Sequence, residues 1–322
     1  MKKLFVILST LAVASLLLAA CGTPATPAAP VQETVVVTVI ATQQPAAIDT
    51  PVPPAATPVV SVDPSMLVQK GKLSVCSDMP YPPMEFFDEN GNPTGADIDI
   101  SKELAARMGL QLQVVNSVFD TIIAAVTSGK CDIIVSDMNI TAERSKQISF
   151  IKYFQAGQSM LAAKGNPENI NAPTDLCGKN AAAESGTTEV DYLQGTGDYQ
   201  GKGLPAECAA AGKPAVNVVV TQKDTDALQQ LQSGKVAVYF ADTPVAAYYV
   251  VQHPDQFQLV GQVIDPALVG IGVPCGQADC TSAPLSPLGQ AVETALKSMM
   301  ADGTYTKILT TWNLQDGAVT LP

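Results

Sequence analysis

The spacing of apolar residues switches along this chain between the period of a helix and that of a strand. Ile133-Ile134-Val135 is a short β-branched run that reads as a buried strand. Ahead of it, Phe119, Ile122, Ile123 and Val126 recur at helical spacing, and Ser128-Gly129-Lys130 ends the pattern with a glycine suited to the left-handed position after a helix. The same unit returns later. Residues 121–137 and 226–242 both read as an amphipathic helix, a Ser-Gly-Lys stop, a short apolar strand and a terminal acid, Asp137 and Asp242. In the second copy Leu228 and Leu231 carry the stripe and Gly234 ends it. Lys72 to Cys76 reads as a first strand, Ile98 to Met108 as a helix with Ile100, Leu104 and Met108 on one face, and Val216 to Val220 as a further strand. A C-terminal helix is striped by Val292, Leu296 and Met299.

Strands that alternate with helices predict an α/β protein with parallel sheets, and the two copies predict two lobes of one design. The chain is expected to return to its first lobe near Val263 to Val273, giving residues 66–161 plus 268–322 as lobe 1 and 162–267 as lobe 2. Two crossings would then form the hinge of a clamshell. Such a fold takes a small ligand at the carboxyl ends of strands from both lobes.

The front of the chain has a different character. Lys2 and Lys3 precede an apolar run, Leu4 to Leu18, and then Leu18-Ala19-Ala20-Cys21. A basic start, a short apolar stretch and small residues before a cut site form a secretory signal over residues 1–20, too short for a stable membrane span. The Cys after Leu-Ala-Ala resembles a lipobox, which implies that Cys21 is acylated and tethers an extracytoplasmic protein to the cell membrane. Residues 21–65 are rich in Thr, Pro, Ala and Val with almost no charge, apart from a β-prone run at Glu33 to Ile40. This composition predicts a disordered, extended tether.

The net charge of −12 argues against nucleic acid as a partner and against an anionic membrane surface. Beyond Cys21, six cysteines remain, an even count that suggests disulfides in an exported chain. Cys275 and Cys280 bracket a turn-like Gly276-Gln277-Ala278-Asp279, and Cys177 and Cys208 flank loop-rich sequence in one region, so each pair is expected to be bridged. Cys76 ends its expected strand whereas Cys131 begins one. As parallel neighbours they would lie roughly 13–16 Å apart at ~3.3 Å per residue, so these two are expected as buried thiols. Without Cys-x-x-Cys spacing, and with His253 the one histidine, no metal or other cofactor is expected.

Candidate chemistry concentrates in Ser136 to Arg144. Thr141 is a good helix N-cap, with Glu143 and Arg144 in the first turn. A strand that empties into a helix N-terminus presents N–H groups to an anion, and Arg144 adds a fork suited to a carboxylate. A capped surface helix with a solvated Arg144 is the plainer alternative. The run resembles the Thr-Ile-Thr-x-Glu-Arg segment of the bacterial extracellular solute-binding proteins of family 3, which serve ABC importers of polar amino acids. Asp78-Met79-Pro80-Tyr81-Pro82-Pro83-Met84-Glu85-Phe86 is similar to that family's opening Tyr-x-Pro-Phe-Glu strand and turn. Gly95 to Ile100, Ser185 to Thr188, Asp242 to Tyr248 and Asp302 to Trp312 match later family segments in order, across nearly all of residues 70–314.

The resemblance implies a two-lobed clamshell of the type II periplasmic-binding-protein kind. It implies an amino-acid ligand, ABC permease subunits as partners, and a monomer. Arg144, Asn139 and the N–H groups near Thr141 would face the ligand carboxylate from lobe 1, and Thr187 and Thr188 from lobe 2, with Ser136 a further ligand-binding candidate. Asp242 resembles the residue that accepts the α-ammonium, though it also stands where it can cap the next helix. Phe119 and Tyr81 would wall the ligand or else pack as core and surface rings. Asp78 resembles a residue that touches the ligand side chain. Asp137 and Glu184 stand where relatives often carry a small residue and a basic or apolar one. If these three acids face the cleft, burying them without a cation is costly and favours a basic ligand side chain; as solvated rim acids they leave a neutral amide open.

The expected role is therefore capture and delivery rather than catalysis. An enzyme resembling the cyclohexadienyl dehydratases, with Asp78, Glu184 or Glu189 as general acid–base, is one alternative. A sensory surface module acting through a partner receptor is the other.

Overall fold

The computed structural model describes residues 60–322. The expected signal, Cys21 and all but the last few residues of the expected tether lie outside the described residues. In chain order the elements are β1 (Lys72–Ser77), β2 (Phe86–Phe87), β3 (Pro93–Thr94), α1 (Ala96–Arg107), β4 (Gln111–Asn116), α2 (Ile122–Thr127), β5 (Ile133–Ile134), α3 (Ala142–Ser145) and β6 (Ser149–Ala163). Then follow β7 (Asn180–Glu184), α4 (Thr188–Gln194), α5 (Leu204–Ala210), β8 (Asn217–Thr221), α6 (Asp224–Gln232), β9 (Val238–Asp242), α7 (Thr243–Gln252), β10 (Phe257–Val273), α8 (Pro287–Ala301) and α9 (Thr304–Thr311).

Eight strands form one sheet in the order β4-β1-β5-β10-β6-β9-β7-β8. The repeated helix–stop–strand unit recurs at equivalent places in the two lobes. In the first, β1 pairs in parallel with β4 and β5; in the second, β7 pairs in parallel with β8 and β9. Parallel pairing does not extend through the sheet, however. β10 runs antiparallel to β5 and β6, and β6 antiparallel to β9. A chain that leaves a lobe and re-enters it must cross the gap in both directions, and the two crossings pair with each other.

These crossing strands are 15 and 17 residues long, and their shared register breaks between Val260 and Ile264 and between Ile264 and Ala267. Bulges of this kind bend and twist a ribbon, so the irregularity falls where the lobes join. Apolar packing covers the sheet in both lobes, and one cluster reaches from the first lobe into the second at Leu228, Leu231 and Tyr239. In the first, α1 buries Ile100 and Leu104, and α8 buries Val292, Leu296 and Met299, in the cluster that contains Leu73 and Val75 of β1. In the second, Leu193 and Leu204 of α4 and α5 pack with Ala181, Val238 and Phe240.

Cys177 is joined to Cys208 and Cys275 to Cys280, with Cα–Cα distances of 5.6 and 5.7 Å. Cys76 and Cys131 are also joined, with Cα atoms 5.8 Å apart, which corrects the expectation of two buried thiols. That expectation assumed an extended chain from Cys131 onward. Only Ile133 and Ile134 are strand, opposite Val75 and Cys76, and the chain bends through Cys131 and Asp132 before it. Asp132 fixes the bend, its carboxylate accepting from Ser74 N at 2.7 Å and Val68 N at 2.7 Å. The bridge spans 55 residues. In the chain-entropy account, replacing both cysteines by alanine lowers stability by about 4 kcal/mol. We expect a lower denaturation midpoint for Cys76→Ala/Cys131→Ala, and peptide mapping without reductant should recover the two segments joined.

Candidate functional site

The carboxyl ends of the central strands converge. Asp78 directly follows β1, Ser136 and Asp137 follow β5, Glu184 ends β7 and Asp242 ends β9. Together with Tyr81, Glu85, Phe119, Asn139, Thr187 and Glu189 they line one narrow cavity between the lobes, whose free volume of about 10 Å³ is room for about one water. This is far below the ~300–1,000 Å³ usual for small-molecule sites, so the two sides of the cleft lie almost against each other. Of the ligand residues expected from sequence, Arg144 and Thr188 are the two that stand behind the lining rather than in it.

The first-lobe side is fixed by short polar contacts. Ser136 Oγ accepts from Asp78 N at 2.9 Å and donates to Glu85 Oε1 at 2.6 Å, so it organises the acids rather than presenting itself. Asp97, at the start of α1, accepts from Tyr153 Oη at 2.7 Å and from Asp137 N at 2.8 Å. Asp137 itself adopts φ 36°, the left-handed region that an aspartate reaches only when its surroundings hold it there. Met138 to Ile140 is clamped to β10 by hydrogen bonds from Gly270 N to Met138 O and from Ile140 N to Leu268 O.

Thr141 caps the single-turn helix α3, accepting from Arg144 N at 3.1 Å. The Arg144 guanidinium is buried and lies over the Phe119 ring, 5.3 Å from its centre. Phe119 is therefore a platform for Arg144 as well as part of the cavity wall. Arg144 Nη1 donates to Asn139 O at 2.8 Å and Nη2 to Gly186 O in the second lobe at 2.9 Å.

Further contacts cross the cleft. Tyr81 Oη donates to Asp242 Oδ2 at 3.0 Å, and Thr188 Oγ1 donates to Asn139 Oδ1 at 2.9 Å. Asp198 Oδ2 accepts from Ala142 N at 2.8 Å, closing over the start of α3. Gly186, with φ +80°, approaches so closely that a Cβ there would lie 2.7 Å from the Asp120 Cα. Thr187 caps α4, accepting from Val190 N and donating to Glu184 O. Asp242 precedes α7 but makes no side-chain cap bond, and its Oδ1 is buried without a partner. Its carboxylate faces the cavity rather than its own helix.

Sequence reasoning missed several participants. Glu85 was visible inside the opening motif but was given no role, and Glu189 entered only as an acid–base for the enzyme alternative. Both are buried in the cavity wall with one carboxylate oxygen unpartnered. Lys223 was not considered. It follows β8 by two residues and forms an ion pair across the cleft with Asp78, whose other oxygen accepts from Phe119 N at 2.8 Å. Of the three acids whose burial without a cation would be costly, Asp78 thus has a cation from the protein itself. The signal was positional: Lys223 and Asp224 stand at the carboxyl end of a second-lobe strand, where such folds place their sites.

Desolvation dominates the electrostatics. Burial raises the Asp97 and Asp242 carboxyls to about 6, Asp224 to about 8 and Glu184 to about 10. For Asp242, the Tyr81 hydroxyl and the Arg144 charge pull the value back down. Asp137, Glu85 and Glu189 are also pushed well above the ordinary carboxylate range, first by burial and then by neighbouring carboxylates. The folded protein thus holds protons that the unfolded chain has lost above about pH 4. The resulting stabilisation is full below that value and is lost as pH rises through the folded values, from about 6 for Asp97 and Asp242 through about 8 for Asp224 to about 10 for Glu184. Calorimetry of the ligand-free protein should show a thermal midpoint lower at about pH 8 than at about pH 5. A midpoint that rises over that interval would mean that these carboxylates are ionised and solvated.

The sequence from residue 73 to 315 matches the family described as bacterial extracellular solute-binding proteins, family 3. The chain is 31% identical over 232 residues to ABC transporter arginine-binding protein 1 of Escherichia coli K12, covering 72% of this chain and 86% of that protein. Among solved structures it resembles an ancestral arginine-binding protein bound to arginine, at 34% identity and a TM-score of 0.64, covering 75% of this chain and 98% of the other. An ancestral arginine-binding protein bound to glutamine also matches, at 34% identity and a TM-score of 0.64, covering 76% of this chain and 98% of the other. An ancestral amino-acid-binding protein that is a precursor of cyclohexadienyl dehydratase matches at 31% and 0.61, covering 75% and 95%. With the family model spanning most of the sequence and the two-lobed fold shared with these relatives, the chain belongs to the family 3 bacterial extracellular solute-binding proteins.

Proposed function

We propose that this chain is the extracytoplasmic substrate-binding lipoprotein of an ABC importer, anchored through Cys21, which captures a basic amino acid and delivers it to a permease. One observation carries the ligand class. Glu85, Asp137, Glu189 and Asp242 all line the cavity and all have buried carboxylate oxygens without a partner. A molecule with two cationic groups answers several of them at once, and a buried acid gains most from a partner that brings charge and donors together. The arginine-binding relatives support the same class.

Within that reading each group of the ligand has a counterpart. Asp242, held by Tyr81 and free of capping, receives the α-ammonium. Arg144 has N–H donors beyond the two directed at Asn139 and Gly186, and together with Asn139, Thr187 and Thr188 it receives the α-carboxylate. Asp137, Glu184 and Asp78 face the side chain, and Phe119 and Tyr81 line its path. Contacts with both lobes make binding and closure one event, because a ligand shifts the lobes only by binding the closed arrangement better. We place the protein among receptors rather than enzymes, and incubation with prephenate should give no product.

A thermal-shift panel of the twenty amino acids with ornithine, citrulline and prephenate tests the assignment. A ligand at about 100 times its Kd adds ~2.7 kcal/mol of stability. Arginine, lysine, ornithine or histidine should raise the midpoint by several degrees, and Arg144→Ala should abolish the shift while the protein stays folded. A shift with neutral polar amino acids alone would retain the capture role and overturn the basic selectivity. No shift with any of them would overturn the role. Palmitate labelling in cells, lost in Cys21→Ala, tests the anchor.

A further inference from the structure

The cavity has two electrostatically different ends. Around Asp242 lie Tyr81, Asn139 and Glu189, with Arg144 behind. At the other end Asp78 and Glu184 face the cavity, and Asp224 lies buried beside them, its Oδ2 accepting from Tyr249 Oη at 2.8 Å. Lys223 belongs to this second end. Its Nζ pairs with Asp78 Oδ1 from the opposite lobe, while Phe119 N holds Asp78 Oδ2. The carboxylate nearest the expected ligand side chain is thus already satisfied by the protein itself.

We propose that Lys223 is a specificity-determining residue, an internal cation that competes with the ligand's distal charge and so limits the site's preference for basic over neutral polar side chains. The inference rests on the amino-acid reading above and deepens it. A guanidinium or ammonium arriving at this end meets a like charge, and in a water-poor cavity that repulsion is weakly screened. It must share Asp78 with Lys223 or drive the lysine out. Lys223 can leave, because its side chain is 28% exposed against 4% for Asp78, and its flexible stem reaches solvent. Its backbone need not move: Lys223 O accepts from Thr221 Oγ1 at 2.9 Å and the residue makes no side-chain cap to α6. A side-chain amide meets the pair differently, accepting from Lys223 and donating to Asp78. The lysine therefore penalises cations and assists amides at one position.

The test is calorimetric titration of the full chain with arginine and with glutamine, for the natural protein and for Lys223→Met, with Lys223→Gln as a second variant that removes the charge. We expect the ratio of the glutamine Kd to the arginine Kd to rise about tenfold or more in both variants. A ratio that stays within about fivefold of the natural value overturns the assignment of Lys223 and leaves the amino-acid site standing. If the natural protein binds neither arginine nor glutamine, the site reading itself fails and this inference fails with it.

Discussion

A carboxylate removed from water must find a cation, a set of donors or a proton, and this requirement shapes the site more than any other. The cavity and its immediate surroundings gather Asp78, Glu85, Asp97, Asp137, Glu184, Glu189, Asp224 and Asp242. Each is answered in its own way. Asp78 has Lys223 and a backbone N–H, Asp97 has the Tyr153 hydroxyl and the N–H of Asp137, and Glu85 has Ser136. Asp137 has no side-chain partner and rests on a raised proton affinity. The strand ends, the short helix that positions Arg144 and the left-handed backbone at Asp137 are all ways of holding these groups where a ligand can complete them.

Much of the architecture could be read from the chain because it is periodic. The repeated helix, Ser-Gly-Lys stop, strand and acid marks the same unit in both lobes, and its two terminal acids, Asp137 and Asp242, both reach the cavity. What depends on bends was harder to read. The rise of a strand made Cys76 and Cys131 look too distant to bridge, because nothing in the pattern showed that the chain folds back through Asp132. The antiparallel middle of the sheet escaped for a related reason, since pattern gives each strand's existence but not its direction. Lys223 was invisible because a lysine after a strand reads as a solvated residue. Its partner lies 145 residues away and meets it only where the lobes close.

The contacts across the cleft come from groups of every kind. Tyr81 to Asp242, Arg144 to Gly186, Thr188 to Asn139, Lys223 to Asp78 and Asp198 to the start of α3 spread from the floor of the cavity to its rim. Asn139, which accepts from Thr188 and from Arg144, sits on Met138 to Ile140, a segment bonded to β10 at Leu268 and Gly270.

The approach of Gly186 to Asp120 gives this closure a definite end. Any other residue at 186 would place its Cβ against the Asp120 backbone, so a side chain there would hold the two sides of the cleft apart. The depth left between them is then a fixed gauge. A molecule too long for that gauge holds the stop open and forfeits every contact across the cleft together, whereas one too short loses only the contacts it fails to reach.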